Sequence, residues 1–152
     1  ESADLNETVR TCLARFGSVK PAGVEVVLNL ADDLHRVQLD RDQMLTALTN
    51  IIENAFSAMG QAGTLTVTTR NLDAGVELAI ADSGSGIPER YLAKVFEPFF
   101  TLKPGGTGLG MCLTKRIIDD HHGTIGVTSK EGAGTVFAIT LPAAPGHGTK
   151  PV

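Results

Sequence analysis

Apolar residues repeat at helical spacing in three segments of the chain. The first covers 4–16, where Asp4 and Glu7 form a capping pattern ahead of the apolar positions. The second covers about 41–60 behind a capping Asp40, and the third covers 109–121 and ends before Gly123. In the second segment the apolar positions share a stripe about 100° wide. These are Met44, Leu48, Ile51, Ile52, Ala55 and Met59. The pattern predicts three helices.

Alternation with a period of two residues predicts the strands, which fall at 24–30, 37–39, 64–69, 76–81, 124–129 and 135–141. Gly75 predicts a hairpin turn between the third and fourth strands, and Gly132 and Gly134 predict a closing hairpin. Helices grouped against such strands predict an α+β fold. We expect a two-layer α/β sandwich, with a mixed, mostly antiparallel sheet and helices on one face.

Composition fits one globular domain, because 42% of the 152 residues are hydrophobic and 20% are charged. We assign that domain to 1–142 and expect the Pro-, Gly- and Ala-rich 143–152 to be a disordered tail. The net charge of -4 argues against a nucleic-acid partner, which would need a basic face. Cys12 and Cys112 lack metal-type spacing and are expected to be reduced thiols. No apolar run is long enough to span a bilayer, and the start at Glu1 suggests a fragment of a longer protein.

The segment 82–110 is rich in glycine and contains a short predicted helix at about 89–94. It has no GxxxxGK[ST] phosphate loop, and no βαβ unit surrounds its glycines. Gly105 to Gly110 lead into the third helix, where free backbone N–H groups favour an anion such as a polyphosphate. A flexible linker would show the same glycines.

Three polar residues add to this picture. Asp82 ends a strand beside tight-turning glycines and can accept a hydrogen bond from an amine such as that of adenine, although a simple Asp-Ser-Gly turn is the alternative. Asn50 and Asn54 lie one turn apart on the flank of the long helix. An Asn oxygen is a suitable Mg²⁺ ligand, although the pair taken alone is more typical of two solvated surface residues.

Taken in order, these segments resemble the superfamily of gyrase B, the heat-shock chaperone ATPases, histidine kinases and MutL. Residues 50–55 resemble its N box, 82–88 its first glycine box and 106–110 its second glycine box. Residues 96–100 resemble the F box of sensor histidine kinases, and the following Thr-Leu-Lys is similar to that of nitrogen-regulation-type kinases. The resemblance covers nearly the whole chain and implies the Bergerat-type ATP-binding fold of a kinase catalytic domain.

The resemblance also implies roles for individual residues, with ATP and Mg²⁺ as cofactors. Asn54 would bind Mg²⁺, and Asn50 would help to place the phosphates. Asp82 would read the adenine amine, and Gly84 and Gly86 would let the backbone pass close to the base.

The remaining implied roles fall on the lid, 87–107, and on the loop after it. Ile87 would line the nucleotide site where the lid begins. Backbone N–H groups would hold the phosphates at Thr107, Gly108, Leu109 and Gly110. Aromatic rings would anchor the root of the lid at Phe96, Phe99 and Phe100. Lys103 would neutralise charge on the γ-phosphate, the more so because Ser57 stands where many relatives have a phosphate-binding lysine.

Two chemistries occur in this superfamily. By the resemblance, its hydrolases have a glutamate where this chain has Asn50, and an amide cannot act as a base for water. Asn50 therefore favours a kinase. Glu53 is a carboxylate in the same box and a candidate catalytic residue in an assisting role, although it points away from the asparagines.

The acceptor of the phosphate is expected to lie outside this chain. A phospho-acceptor histidine is usually followed by an acidic residue, which is true of none of His35, His121, His122 and His147. We expect it on a separate dimerisation and phosphoacceptor domain of the same kinase, with a response regulator as an indirect partner. The fragment would be a monomer, the parent protein a homodimer, and the location cytoplasmic with a possible membrane anchor on the parent. An anti-sigma-factor-type serine kinase and a non-catalytic nucleotide-binding module are the alternatives.

Overall fold

The computed structural model describes residues 1–101, 106 and 108–145. Along the chain, β1 (Ser2–Ala3) precedes α1 (Leu5–Phe16), a 3₁₀ turn (Gly17–Val19), β2 (Gly23–Asn29), β3 (Val37–Gln38) and α2 (Arg41–Met59). The second half contains β4 (Ala62–Leu72), β5 (Gly75–Asp82), a 3₁₀ helix (Glu89–Lys94), α3 (Gly110–Asp120), β6 (Thr124–Lys130) and β7 (Gly134–Pro142). The three predicted helices are thereby confirmed to within about one residue.

Five strands form one sheet in the order β2-β4-β5-β7-β6. β2 and β4 run parallel, since α2 returns the chain to the starting end of the sheet. The other neighbouring strands are antiparallel: β4 with β5 and β6 with β7 form hairpins, and β5 pairs with β7. The predicted mixed, mostly antiparallel sheet is confirmed. The pairing of β1 with β3 in a separate two-stranded ribbon was not predicted, because β1 is only two residues long.

The helices cover one face of the sheet, which completes the predicted α+β sandwich of two layers. Alternate residues of β4 and β5, such as Leu65, Val67, Leu78 and Ile80, are buried beneath α2. The residues between them on β4, Thr64 and its neighbours at positions 66 and 68, are only half-buried. One core therefore joins the helical layer to the sheet and holds the ends of β5 and α2 in fixed relation.

Capping defines the two ends of α2, the helix that carries the candidate asparagines. The Asp40 carboxylate accepts a hydrogen bond from the backbone N–H of Gln43 at 3.0 Å. At the other end, Gly60 adopts a φ of +69° and closes the helix with a bond from its N–H to Phe56. The ring of Phe56 also packs edge-on against Phe16 and ties α1 to α2.

The segment expected to be a tail begins with two residues attached to the domain. The backbone N–H of Ala143 donates to the carbonyl of Ala74, and that of Ala144, which is buried, donates to Arg36. Residues 146–152 lie outside the described part of the chain. Among the described residues, no helix is both long and apolar enough to cross a bilayer.

Candidate functional site

A cavity of about 330 Å³ opens between α2, the end of β5 and the start of α3. Its volume falls in the range of small-molecule sites. Residues from separate parts of the chain line it, and six of the predicted site residues are among them: Asn54, Asp82, Gly86, Ile87, Gly108 and Gly110. Lys103 and Thr107 lie outside the described residues. The fold therefore brings the N box and both glycine boxes together.

Asn54 presents its side chain to this cavity from the last turns of α2. It is half-buried, and its carboxamide has no hydrogen-bond partner among the described residues. Ser57 and Ala58, one turn further along, continue the same wall. An amide oxygen that lies at a cavity wall and accepts no hydrogen bond from the described residues is suited to a hard cation such as Mg²⁺.

Asn50 takes a different position, one helical turn earlier. Its side-chain Nδ2 donates to the carbonyl oxygen of Gly110 at 3.0 Å and to Oγ1 of Thr114 at 3.3 Å. The Thr114 hydroxyl is fully buried and donates to the same Gly110 carbonyl at 2.9 Å. Asn50 is not among the residues lining the described part of the cavity. Its amide instead joins α2 to the first turn of α3.

Asp82 ends β5 inside the cavity. Its Oδ1 accepts the backbone N–H of Gly84 at 2.8 Å, and the backbone of Thr135 adds a second hydrogen bond. Burial raises the pKa of the Asp82 carboxyl, and these two N–H donors offset part of the rise. The lining of the same cavity includes the apolar side chains of Ile87, Val95, Met111 and Phe137. A planar base bearing an amine matches a cavity that combines such an acceptor with apolar side chains.

The turn after Asp82 requires glycine for reasons within the protein. A Cβ on Gly84 would lie 2.7 Å from backbone and side-chain atoms of Ala58 on α2. Gly86 has a φ of +75°, and a Cβ there would overlap the carbonyl oxygen of Lys130. Gly86 lines the cavity, whereas Gly84 is buried against α2 and is not among its lining residues. Packing of this turn onto α2 and the β6–β7 turn thus explains both glycines.

The loop before α3 is held against the root of the predicted lid. Gly108 has a φ of +75°, and a Cβ there would overlap the backbone of Phe99. The N–H of Phe99 in turn donates to the carbonyl of Gly108 at 2.8 Å. Gly106, Gly108 and Gly110 line the cavity, so the N-terminus of α3 begins at its wall. Free N–H groups of a first helical turn favour an anion there.

The predicted aromatic anchor is correct for two of its three rings. Phe96 packs edge-on against Phe137 at a centroid distance of 6.2 Å, and Phe100 contacts Tyr91 at 5.6 Å. The prediction is wrong for Phe99, whose side chain is 76% exposed. Phe99 adopts a φ of +68°, which turns its ring outward while its backbone meets Gly108.

Two further predicted residues lie at the margin of the site. Leu109 is 44% exposed and is not among the lining residues. Glu53 is exposed on α2 and is likewise not among the lining residues. Burial raises the pKa of the Cys12 thiol on α1, and the Glu53 carboxylate adds to that rise, so Glu53 lies on the α1 side of α2.

Sequence reasoning missed several wall residues, of which Thr135 and Phe137 are the clearest. Thr135 is buried and lies opposite Asp82 in the pairing of β5 with β7. Its hydroxyl contacts Oγ of Ser129 at 2.8 Å, and the Ser129 hydroxyl accepts the N–H of Ile87. The alternation of 135–141 marked a strand, but only the order of strands in the sheet brings that strand beside Asp82.

Comparison with known proteins gives a family match. The family model described as histidine kinase-, DNA gyrase B-, and HSP90-like ATPase matches residues 39–145. Sensor histidine kinase ZraS of Escherichia coli (strain K12) is 36% identical over 143 residues, which are 93% of this chain and 31% of that protein. Sporulation kinase E of Bacillus subtilis (strain 168) is 40% identical over 122 residues, 80% of this chain and 16% of that kinase. The chain spans less than a third of either relative.

Solved structures agree with this match. The catalytic domain of histidine kinase ThkA has a TM-score of 0.85 and 32% identity, over 95% of this chain and 96% of that one. A mycobacterial sensor histidine kinase, MprB, gives a TM-score of 0.84 at 28% identity, over 95% and 98% of the two chains. ThkA in complex with response regulator protein TrrA gives 0.81 at 30% identity, over 95% of this chain and 42% of that chain.

Proposed function

Because the chain belongs to the family of histidine kinase-, DNA gyrase B- and HSP90-like ATPases, we propose that it binds Mg·ATP in the cavity beside α2. We propose further that it donates the γ-phosphate to a histidine on a separate dimerisation and phosphoacceptor domain. The observation that carries this proposal is the convergence of Asn54, Asp82 and Gly110 on one cavity.

The adenine end of the site is proposed at Asp82. Its carboxylate would accept the exocyclic amine of the base, which selects ATP over GTP because guanine presents a carbonyl oxygen at that position. The apolar side chains of Ile87, Met111 and Phe137 would enclose the ring. Gly84 and Gly86 serve this end by fixing the turn that aims Asp82, in addition to any contact with the base.

The phosphate end is proposed at α3. Backbone N–H groups from Thr107 to Gly110 would receive the phosphate oxygens, and Lys103 would add a positive charge at the γ-phosphate. Asn54 fits a Mg²⁺ ligand, since its carboxamide lies at the cavity wall without a described protein partner. Bound there, Mg²⁺ would supply charge neutralisation between neighbouring phosphates.

The contacts of Asn50 support phosphoryl transfer rather than hydrolysis. Its amide N–H donates to the Gly110 carbonyl, which accepts only. A glutamate, the residue implied for the hydrolases at this position, would set a carboxylate against that carbonyl. This chain therefore lacks at position 50 the base that would activate water. Glu53 lies on the α1 side of α2, so we propose at most an assisting role for it.

The acceptor histidine, the dimer and the response regulator are proposed as partners of the whole kinase. The relatives are kinases about three times as long as this chain or longer, which leaves room for a phosphoacceptor domain in a parent protein. A homodimer would form through that domain, and the fragment itself would be a monomer. Since the reaction consumes ATP, we place it in the cytoplasm.

Calorimetric titration of the 152-residue chain tests the binding half of the proposal. Mg·ATP is expected to bind with one site per chain, and Mg·GTP is expected to bind at least about tenfold more weakly, in line with the loss of a buried hydrogen bond. Equal affinity for the two nucleotides would refute adenine reading by Asp82. Absence of binding by either would refute the site.

A further inference from the structure

Two hydrogen-bonded contacts fasten α3 to α2, one at each end of α3. At the N-terminus of α3, the Asn50 side chain donates to the carbonyl of Gly110. At its C-terminus, the backbone N–H of Asp40 donates to Nε2 of His121 at 2.9 Å. α3 thus lies antiparallel to α2 and is held at both ends.

The spacing of the two contacts matches on the two helices. Ten residues separate Asp40 from Asn50, about 15 Å at 1.5 Å per residue, and eleven separate Gly110 from His121, about 16 Å. Two contacts at nearly the same spacing on both helices determine the crossing angle and the axial position of α3 on α2. Asn54 lies one turn beyond Asn50 on the same helix, so these contacts also set Gly110 relative to Asn54.

The N-terminal contact saturates the donors of Asn50. Its Nδ2 donates to the Gly110 carbonyl and to the buried hydroxyl of Thr114, and that hydroxyl donates to the same carbonyl. Because a carbonyl oxygen can only accept, the atom of the Asn50 amide that faces Gly110 must be the nitrogen and not the oxygen. Asn50 is therefore engaged with protein at the point where family resemblance would place a phosphate contact.

The C-terminal contact fixes the tautomer of His121. Nε2 accepts the Asp40 N–H and so carries no proton, which leaves the proton on Nδ1. Nδ1 lies 2.7 Å from the carbonyl oxygen of Ile117 and donates to it. The imidazole therefore bridges the last turn of α3 and the N-cap of α2.

We propose that Asn50 and His121 are positioning residues, which act on the nucleotide through α3 by setting Gly110, at its N-terminus, at a fixed distance from Asn54. This inference rests on the proposed nucleotide site and assigns Asn50 a role other than direct contact with phosphate. At the adenine end, Asp82 lies on β5 and Phe137 on β7, and of the residues proposed to enclose the base only Met111 lies on α3. Loss of either contact should therefore weaken binding of the phosphates far more than binding of the base.

The test compares Mg·ATP with adenosine for Asn50→Asp. This variant keeps the size of the side chain, removes the donor and sets a carboxylate oxygen against the Gly110 carbonyl. Mg·ATP affinity is expected to fall about tenfold or more, because one hydrogen bond is lost and the carboxylate repels the Gly110 carbonyl, with adenosine affinity within about twofold of wild type. Parallel losses for both ligands would indicate general unfolding and overturn the proposal, and so would unchanged Mg·ATP affinity.

His121 provides the second variant, far from any phosphate. His121→Leu should lower Mg·ATP affinity by several-fold with adenosine unaffected, and His121→Gln, whose amide oxygen can accept the Asp40 N–H, should restore most of it. Arg116→Gln, on an exposed position of α3, is the matched control and should bind as wild type does. Equal affinity of His121→Leu and wild type would overturn the proposed role of His121.

A double variant separates positioning from direct contact. Residues about 15 Å apart normally contribute independently, so their losses multiply. If both residues act by placing the same helix, the fold-loss in Mg·ATP affinity of Asn50→Asp combined with His121→Leu should be clearly smaller than the product of the two single fold-losses. A full product would overturn the shared role. Failure of wild type to bind Mg·ATP would instead refute the proposed function itself.

Discussion

The Asp82 carboxylate accepts a hydrogen bond from the backbone N–H of Gly84 at 2.8 Å, inside the turn that leaves β5. The backbone of Thr135 adds a second hydrogen bond to this carboxylate. Burial nevertheless raises the pKa of the group, which lies in a cavity lined in part by apolar side chains. Because burying a carboxylate costs desolvation energy, we expect the Asp82 carboxylate to accept a hydrogen bond from a ligand.

Asp82→Asn tests this role with a side chain of the same size. The amide oxygen would stay with the Gly84 N–H, which turns the NH₂ toward the adenine amine and sets donor against donor. ATP affinity should fall by about tenfold or more. Calorimetry on the variant checks the expectation, and an unchanged dissociation constant would remove Asp82 from adenine recognition.

The same substitution should change stability in the opposite direction. Because burial raises the folded-state pKa of Asp82 above its ordinary value, the folded chain binds more protons than the unfolded chain between those two values. The contribution of Asp82 to stability therefore falls as pH rises through that window and is unfavourable at neutral pH. Asp82→Asn should melt at a higher temperature than wild type at pH 7.

The gap between the two melting temperatures should close as pH is lowered through the window, since Asp82 becomes neutral in both states. Thermal unfolding followed by circular dichroism from pH 7 to pH 3 measures it. A variant that is less stable than wild type at pH 7 would show that the hydrogen bonds from Gly84 and Thr135 outweigh the burial of the charge.

Asn54→Ala should abolish the Mg²⁺-dependent part of nucleotide binding. The proposed metal ligand is lost, whereas Asp82 and the backbone N–H groups at α3 are untouched. In the presence of a chelator, wild type and variant should bind ATP equally, and added Mg²⁺ should strengthen binding only in wild type. Gln43→Ala, exposed on α2, is the control. A variant that retains the full Mg²⁺ effect would contradict the assignment.

Gly84→Ala should destabilise the fold itself. The added Cβ would lie 2.7 Å from the backbone of Ala58, so α2 or the turn must move, at a cost of about 1–3 kcal/mol. At this chain length that corresponds to a fall in Tm of roughly 2–4 °C per kcal/mol. Gly126→Ala is the matched control, because a Cβ at Gly126 meets nothing within 4 Å. Equal melting temperatures for the two variants would refute the packing explanation.

The helices and strands could be predicted because the interactions that define them are local. Asp40 and Gly60 mark the two ends of α2, since each cap is formed by residues that are close in the sequence. The place of Thr135 beside Asp82 depends on β5 pairing with β7, a contact between strands separated by the lid, α3 and β6. No periodicity in the sequence encodes that order, so the contribution of Thr135 to the cavity wall was not predicted.

The glycines illustrate a second limit. Their positions correctly indicated a close approach of backbone, and the resemblance assigned that approach to the base. In the structure Gly84 meets Ala58, Gly86 meets Lys130 and Gly108 meets Phe99, all within the protein. A sequence can indicate that a Cβ would be too large without revealing which neighbour would meet it. Asn50 is similarly predicted as a site residue from the sequence, but its hydrogen-bond partner Gly110 lies sixty residues away.

The central claim is that this chain holds ATP for transfer to a histidine on another domain. The most direct measurement incubates the chain with γ-labelled ATP and Mg²⁺, alone and with a purified dimerisation and phosphoacceptor domain of a matching kinase. We expect no label on the chain alone, slow phosphate release, and acid-labile label on the added domain's histidine. Label on this chain alone, acid-stable label on a serine, or rapid phosphate release without an acceptor would contradict it.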